Sequence, residues 1–239
     1  VKKINKKKIN LINDFFPPKK KNIISKLRFD LITSIAMFYD LQNPNIFVKK
    51  IKLHLKQNGI WIFELSYLID MLKLNSFDTI CHEHLEYYSI HSLDYLMKKH
   101  NLKIFDISRN TINAGSIRCF VTHKNNKIYD KENGIKKLKK LISHEKKIKV
   151  TKINIYKEFD KKIKKIKNQL NNNISKIIKQ NKKIYILGAS TKGNTILQFL
   201  DIDNKIIPYA IERNKQKIGA KTIGSNIKII GEKFIKNSK

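Results

Sequence analysis

Cysteine, arginine, glycine and acidic residues are all scarce in this chain of 239 residues. Its two cysteines, Cys81 and Cys119, are too few for a disulfide framework or a cysteine-based zinc site. No run approaches the roughly 18–20 uncharged apolar residues of a membrane helix, which excludes a spanning protein. The basic segment at 1–10 lacks a following apolar run, which excludes a secretory signal. These absences favour a reducing, cytoplasmic compartment.

Acidic residues are outnumbered: 51 Lys and Arg stand against 19 Asp and Glu, a net charge of +32. Such a charge is typical of proteins that bind nucleic acid or another anionic partner. Nucleic-acid binding favours arginine, however, and only four basic residues are arginines: Arg28, Arg109, Arg118 and Arg213. The lysines are spread along the chain among Asn and Ile, as AT-rich coding would produce. We therefore interpret the charge as compositional drift, with a basic protein that binds RNA or an acidic partner as the alternative.

The first 125 residues alternate between strand and helix patterns, which predicts parallel pairing in an α/β sheet. The apolar fraction of 41% is sufficient for a core. Pro44 opens a helix that we expect to stop at Gly59, and Ser92 can cap a helix that reaches His100. A hairpin with Gly115 at its turn or at a bulge completes this region. The predicted strands are 9–16 (ending at Asp14), 29–35, 60–64, 103–108 and 117–123.

Residues 126–180 predict a helical connector, since they contain no proline and one glycine. A second α/β unit begins near residue 183, with a strand at 184–187, a turn, a helix at 195–200 and a strand at 206–211. We therefore predict a domain at 1–125, the connector, and a second domain at 181–239. One apolar stripe runs along the connector at helical spacing: Ile155, Phe159, Ile163, Ile166, Leu170, Ile174 and Ile177.

The turn at 188–195 (GASTKGNT) lies between a predicted strand and a predicted helix. Its amides and the helix N-terminus would attract a phosphate, but Asn194-Thr195 replaces the Lys-Ser/Thr of a P-loop, which argues against ATP hydrolysis. Glu212 follows Gly188 at the distance where a Rossmann-type unit carries its ribose-binding acid. The alternative is a plain turn without a ligand.

The segment Cys81-His82-Glu83-His84-Leu85-Glu86-Tyr87-Tyr88-Ser89 is the densest cluster of titratable groups. His82 and His84 could form a metal pair, although a third ligand is not evident. A histidine beside a carboxylate also suits proton abstraction next to a carbonyl, with Tyr87 and Tyr88 stabilising an enolate or orienting a sugar. A surface loop with chance histidines is the remaining interpretation.

Two further groups are weaker candidates. Asp14 and Phe15, at a strand end, could hydrogen-bond to an adenine amino group and stack on its ring. A turn with a buried Phe explains these residues equally well. The hairpin residues could touch an anionic ligand, or form only a bulge with a surface arginine; they are Asn113, Gly115, Ser116 and Arg118.

Four of these motifs, in this order, resemble the sugar C-methyltransferase family: NSFDTICHEHLEYYS, NAGSIR, YILGASTKGNT and IERNKQKIG. The resemblance implies methyl transfer from S-adenosylmethionine to a carbon of a nucleotide-linked keto-deoxysugar. It also implies the fold: the C-terminal part of a class I, Rossmann-like methyltransferase domain, joined by the connector to a second, partial Rossmann-like domain.

The resemblance assigns roles to individual residues. His84 matches the general base that removes the proton from the sugar carbon, and Glu83 matches its acidic neighbour. Asp14 and Phe15 match the segment that contacts adenosine. Many members carry Tyr where this chain has Cys81. The nucleotide-sugar turn maps onto residues 188–194, including Gly188, Ser190, Lys192, Gly193 and Asn194.

The chain also departs from the family pattern. The cysteines of the family's zinc module, the glycine-rich loop after the first strand and the ribose-gripping acid after the second are missing. We therefore expect a fragment that binds S-adenosylmethionine weakly or not at all. A sugar-nucleotide-binding fragment without activity is the further alternative.

Overall fold

The structure is a computed structural model that describes residues 9–18 and 23–236. Short 3-10 turns, including Phe77–Thr79 and Ile112–Ala114, lie between its regular elements. In chain order these elements are β1 (Phe29–Ile35), α1 (Pro44–His54), β2 (Leu55–Ser66), α2 (Leu68–Leu74), α3 (Ile90–Lys99), β3 (Leu102–Asn110), β4 (Ser116–His123), α4 (Glu132–Lys147), α5 (Ile153–Lys179), β5 (Ile186–Leu187), α6 (Thr191–Phe199), β6 (Tyr209–Glu212), β7 (Lys228–Gly231) and α7 (Lys233–Lys236).

The larger sheet has four strands in the order β1-β2-β4-β3. β1 and β2 run parallel, as their connection through α1 predicts, because a parallel pair needs a crossover. β4 is antiparallel to both β2 and β3, so the predicted hairpin is present. The α/β fold predicted from the sequence is therefore confirmed, with a mixed sheet rather than an all-parallel one.

An aromatic cluster fills the core between this sheet and α1. The ring of Phe38 lies 5.3 Å from that of Phe63 and 5.6 Å from that of Trp61, and Phe47 of α1 packs at 5.8 Å. All four side chains are buried. Burial of such side chains stabilises a fold by about 1.5–3 kcal/mol each, and here it fixes the carboxyl ends of β1 and β2 relative to each other.

Two predictions for the first 60 residues are wrong. Residues 9–16 form no strand, and Leu11 and Phe15 are 76% and 83% exposed, so their apolar pattern is not used in the sheet. Gly59 does not stop α1, which ends at His54 and passes directly into β2. Gly59 lies inside that strand, where a Cβ atom would approach the carbonyl oxygen of Phe29 to 2.8 Å. Close packing against β1 thus explains this glycine better than a helix end does.

The helix that follows residues 81–89, the CHEH segment, begins earlier than predicted. Ser89 is its N-cap and accepts the backbone N–H of Ser92 at 3.1 Å, while Ser92 Oγ accepts the N–H of Ser89. Ser92 is therefore the third residue of α3 and completes a capping box, rather than starting the helix.

The connector consists of two helices, α4 and α5, instead of one. They are separated at Lys149, whose φ of 56° is left-handed. The predicted stripe lies on α5: Phe159 and Ile163 are buried against the larger core, and Ile174 packs against a second, smaller one. No helix in the described part of the chain is long and apolar enough to cross a membrane.

The smaller core belongs to a parallel sheet in the order β5-β6-β7. β5 is shorter than predicted, and β7 was not predicted. α6 begins at Thr191 rather than at 195, because Ser190 caps it by accepting the N–H of Gly193 at 3.1 Å.

Candidate functional site

The CHEH segment lies at the carboxyl ends of β1 and β2. The carbonyl oxygen of Tyr39, just after β1, accepts the N–H groups of both Leu85 and Glu86 at 3.0 Å. The N–H of Leu68, after β2, donates to the carbonyl of Tyr88 at 3.1 Å. Ligands in α/β sheets bind outside the carboxyl ends of the strands. The backbone thus brings the segment to the edge of the sheet where a site is expected.

The imidazole of His84 has a defined orientation. Its Nδ1 lies 2.9 Å from the carbonyl oxygen of Thr79, which can only accept, so Nδ1 carries the proton. The ring of Tyr39 lies 4.4 Å away and covers one face of the imidazole. In the neutral ring the lone pair is therefore on Nε2. Nε2 of this half-buried ring is therefore the nitrogen that can accept a proton.

The carboxyl group of Asp40 lies close enough to His84 for the two groups to interact electrostatically. Burial and the negative charge of Glu83 raise the pKa of Asp40, and the nearby His84 opposes them by lowering it. His82 and Glu83 are exposed. Within residues 9–18 and 23–236, no group of three or more His, Cys, Asp or Glu could hold a metal ion. Asp40 is thus an acidic neighbour of His84 that the sequence analysis did not identify.

The two tyrosines of the segment differ in their surroundings. The hydroxyl of Tyr87 points at the carbonyl of Thr79, 3.4 Å away, and burial raises its pKa. Tyr88 is buried against Phe38, with ring centroids 5.3 Å apart, and burial raises its pKa as well. The Tyr88 hydroxyl has no hydrogen-bond partner among the described residues. Both phenols are therefore protonated donors at neutral pH.

The four hairpin candidates do not form one cluster of free donors. Ser116 is buried and donates to the carbonyl of Ile112 at 2.8 Å, while Asn113 is exposed in the turn. Arg118 pairs with Glu64 across β2 and β4, with Nε 2.8 Å from Oε2. Gly115 lies against Asp70, and an added Cβ would clash with the Asp70 side chain. Their role towards an anionic ligand stays a prediction, since contacts within the protein explain Gly115, Ser116 and Arg118.

The turn at 188–194 uses several of its own amides internally. The N–H of Gly188 donates to Ile211 O at 2.7 Å, and the N–H of Ala189 donates to the Glu212 carboxylate at 3.0 Å. Hydrogen bonds from the amides of Asn214, Ala189 and Arg213 lower the pKa of Glu212. Lys192 is half-buried in α6. A phosphate cradle needs free amides, so Glu212 competes here with the anion that the turn was predicted to bind.

The predicted adenosine contacts are not enclosed. Asp14 Oδ1 accepts the N–H of Phe15 at 2.8 Å, and the Phe15 ring is 83% exposed. The next residue, Phe16, packs instead on Phe47 and His54. The residues present therefore do not fit an adenosyl group at this position.

A large groove lies away from His84, between α2 and the turn that joins α4 to α5. It encloses about 960 Å³, with Ile69, Leu72 and Phe159 in its apolar lining. Its rim is basic and carries four lysines: Lys73, Lys149, Lys152 and Lys162. No motif of the sequence pointed to this groove, because its residues come from three separate helices.

Thr79 and Tyr39 are the residues of the His84 site that the sequence did not reveal. Thr79 acts through its backbone carbonyl, which any residue type possesses, so the identity of this residue does not indicate its role in the site. Tyr39 is 45 positions away from His84 and meets it only because β1 ends there. A polar residue shortly after a predicted strand was the one available sign.

Comparison with known proteins agrees with this architecture. Residues 111–239, more than half of the chain, match the family described as C-methyltransferase C-terminal domain, and residues 3–107 match a methyltransferase domain. The C-methyltransferase NovU of Streptomyces niveus is 26% identical over 176 residues, which are 73% of this chain and 41% of that protein. The chain thus spans less than half of this curated relative.

A solved structure of an S-adenosylmethionine-dependent methyltransferase from Clostridium acetobutylicum was also found. It is 16% identical with a TM-score of 0.34, and the match covers 44% of this chain and 61% of that one.

Proposed function

The chain belongs to the C-methyltransferase family, and from this premise we propose that it provides the proton-abstracting side of a sugar C-methyltransferase. The substrate would be a nucleotide-linked keto-deoxysugar, and S-adenosylmethionine would be the methyl donor of the whole enzyme. The relative's printed name supports C-methylation. The sugar is our proposal, and it rests on the motifs that surround His84 and Gly188.

The orientation of His84 carries this proposal. A ketone acidifies the neighbouring C–H bond, and Nε2 of a ring that is protonated on Nδ1 can accept that proton. The electron pair of the broken C–H bond then passes into the enolate of the ketone. Tyr87 supports the proposal, because it lines the same small cavity as His84 and its phenol, whose pKa burial raises, stays protonated and can donate to an enolate oxygen.

Asp14 and Phe15 do not enclose an adenosyl group in the described part of the chain. The proposal for this chain is therefore limited to proton removal by His84. We expect this chain to bind S-adenosylmethionine weakly or not at all. Isothermal calorimetry with the purified chain tests this expectation, and micromolar affinity would contradict it. The free thiols Cys81 and Cys119 support our placement of the protein in a reducing cytoplasm.

Deuterium exchange tests the assignment of the base. The chain is incubated in D₂O with a nucleotide-linked 4-keto-deoxysugar, and mass spectrometry follows deuterium at the carbon beside the ketone. We expect exchange above the uncatalysed rate, and its loss in His84→Asn, which keeps a similar shape without the base. The matched control is His82→Asn, an exposed neighbour that should retain exchange. Equal exchange in His84→Asn and the wild type would assign the base elsewhere.

The lysine-rimmed groove favours a second candidate function, the binding of an acidic protein segment. Its apolar lining is aliphatic apart from Phe159, which is 7% exposed, and His144 and Glu158 also line it beside the lysines. The groove therefore offers little surface on which RNA bases could stack. An acidic amphipathic peptide with leucines at helical spacing is the probe, and fluorescence anisotropy measures its binding. Lys152→Glu with Lys162→Glu should abolish binding, whereas Lys157→Glu with Lys161→Glu, on the far side of α5, should not. Equal binding by both pairs would refute this function.

A further inference from the structure

The segment that orients His84 is itself pressed against the C-terminal unit. Thr79, whose carbonyl accepts the His84 Nδ1–H, ends the 3-10 turn that begins at Phe77. The ring of Phe77 contacts the ring of Phe199, with centroids 4.7 Å apart. Phe199 is the last residue of α6 and packs against both hydrophobic cores. A direct chain of contacts thus runs from α6 to the imidazole.

The 3-10 turn Phe77–Thr79, which links the Phe77 ring to the acceptor of His84, is held by its own hydrogen bonds. Thr79 is 3% exposed, and its hydroxyl donates to the carbonyl of Ser76 at 2.8 Å. The N–H of Ile80 donates to the carbonyl of Phe77 at 3.0 Å. The residue that carries the ring and the residue that carries the Thr79 carbonyl therefore belong to one hydrogen-bonded turn. A displacement of the Phe77 ring would therefore carry the carbonyl with it.

The other end of this contact is held by α5. Lys167 lies 5.3 Å from the centre of the Phe199 ring and pairs with Asp201 at 2.6 Å. Asn171 donates to the carbonyl of Leu200 at 3.1 Å. Phe199 is thus fixed by its own helix and by α5, and it presents a fixed surface to Phe77.

We propose that Phe199 is a positioning residue for His84. Through Phe77, Phe199 holds the Thr79 carbonyl in the position where that carbonyl keeps the imidazole proton on Nδ1. The relevance of this role to catalysis rests on the proposed function. Phe199 does not touch the imidazole. It acts on the position of the acceptor, and the tautomer that leaves Nε2 free depends on that acceptor.

The tautomer itself is the measurement. The chain is labelled with ¹⁵N-histidine, and long-range ¹H–¹⁵N correlation spectra report which nitrogen of His84 carries the proton; His84→Asn identifies the signal. We expect the Nδ1–H form to dominate in the wild type and to lose its dominance in Phe199→Ala and Phe77→Ala. Phe199→Leu keeps helix propensity and apolar character without the ring, and it decides the matter if Phe199→Ala does not fold.

A matched variant separates positioning from a general loss of stability. Tyr185→Ala also removes a ring from the C-terminal unit, but that ring faces Tyr209, with centroids 6.4 Å apart. We expect it to leave the His84 tautomer unchanged. A dominant Nδ1–H form in every folded Phe199 and Phe77 variant would overturn the proposal, as would an Nε2–H form in the wild type.

No substrate is present in this experiment, so its outcome is independent of the deuterium exchange described above. A tautomer shift without any sugar exchange would retain the positioning role and refute the proposed function. Sugar exchange by His84 with an unaltered tautomer in the variants would do the opposite. The two failures are therefore distinguishable.

Discussion

The hydroxyl of Tyr67 donates to the carboxylate of Glu145 at 2.7 Å, although the two residues are 78 positions apart. The same carboxylate accepts the N–H groups of Ile90 and His91 at 2.7 and 2.8 Å, at the start of α3. Glu145 is 1% exposed. One buried side chain of α4 thus joins the end of β2 to the N-terminus of the helix that follows the CHEH segment, and it satisfies three donors there.

Replacement of Glu145 by Gln should destabilise the fold by about 1–3 kcal/mol, because its NH₂ group would face a donor and leave a buried N–H or O–H unsatisfied. Urea unfolding followed by circular dichroism measures the free energy of unfolding. Glu158→Gln, an exposed change of the same chemistry on α5, should cost less than about 0.5 kcal/mol. Equal stability of the two variants would contradict a structural role for Glu145.

Tyr67→Phe and Tyr88→Phe make the same chemical change with different expected results. Tyr67→Phe should cost about 1–2 kcal/mol, because it removes a hydrogen bond to a buried carboxylate. Tyr88→Phe should leave stability unchanged or raise it, because its buried hydroxyl has no partner in the described residues. Thermal and urea unfolding of both variants test the difference. A large loss of stability in Tyr88→Phe would show that this hydroxyl has a structural hydrogen-bond partner.

Alkaline pH should destabilise the protein through Tyr67. Burial, followed by its hydrogen bond to Glu145, raises the Tyr67 pKa far above the ordinary value of about 10. Above about pH 10 the tyrosine of the unfolded chain loses its proton while that of the folded chain keeps it. The contribution of Tyr67 to the free energy of unfolding is therefore fully present below about pH 10, and above it falls by about 1.4 kcal/mol per pH unit for one proton.

Unfolding free energies between about pH 9 and 11 measure this effect. The decline should be shallower in Tyr67→Phe than in the wild type. Tyr95→Phe, which alters a tyrosine that is 68% exposed, serves as the control and should keep the wild-type slope. An identical slope in all three proteins would show that Tyr67 ionises as easily in the folded state.

Gly115→Ala should destabilise the protein by more than Gly219→Ala. Both glycines have positive φ, 117° and 93°, so a side chain costs about 1–2 kcal/mol at either position. Only at Gly115 would the added Cβ also clash, with the Cβ and carboxylate of Asp70, whereas nothing lies within 4 Å of the position at Gly219. The difference between the two variants in urea unfolding isolates this contact, and equal losses would exclude it.

Arg118→Met should lower stability by about 1–3 kcal/mol, because it leaves the carboxylate of Glu64 without its partner. The Glu64 side chain is 8% exposed, while that of Arg118 is 44% exposed, so solvent screens part of the effect. Glu64→Gln with Arg118→Met should recover most of the loss. If Arg118→Met is fully stable and only substrate binding falls, Arg118 serves the ligand that the hairpin was predicted to bind.

The local patterns of the sequence predicted much of the fold. The strands at 29–35 and 60–64 were predicted from apolar runs and the stripe on α5 from a spacing of three and four residues; these elements and the hairpin are all present. The same reasoning failed at 9–16, where an apolar run stays exposed, and at Gly59, whose small size is required by Phe29 in a different strand. Periodicity describes which face a residue presents, but not which distant element will cover that face.

For the candidate site, the order of residues already shows which chemical groups are present: a histidine among carboxylates and phenols, and a glycine turn before a helix. Which of these groups are available to a ligand depends on how the chain folds. The tertiary structure set Thr79 against Nδ1 of His84, gave the amide of Ala189 to Glu212 and paired Arg118 with Glu64. The physical reason is that hydrogen bonds and ion pairs act over about 3 Å, and residues far apart in the chain come that close only after the strands and helices have packed.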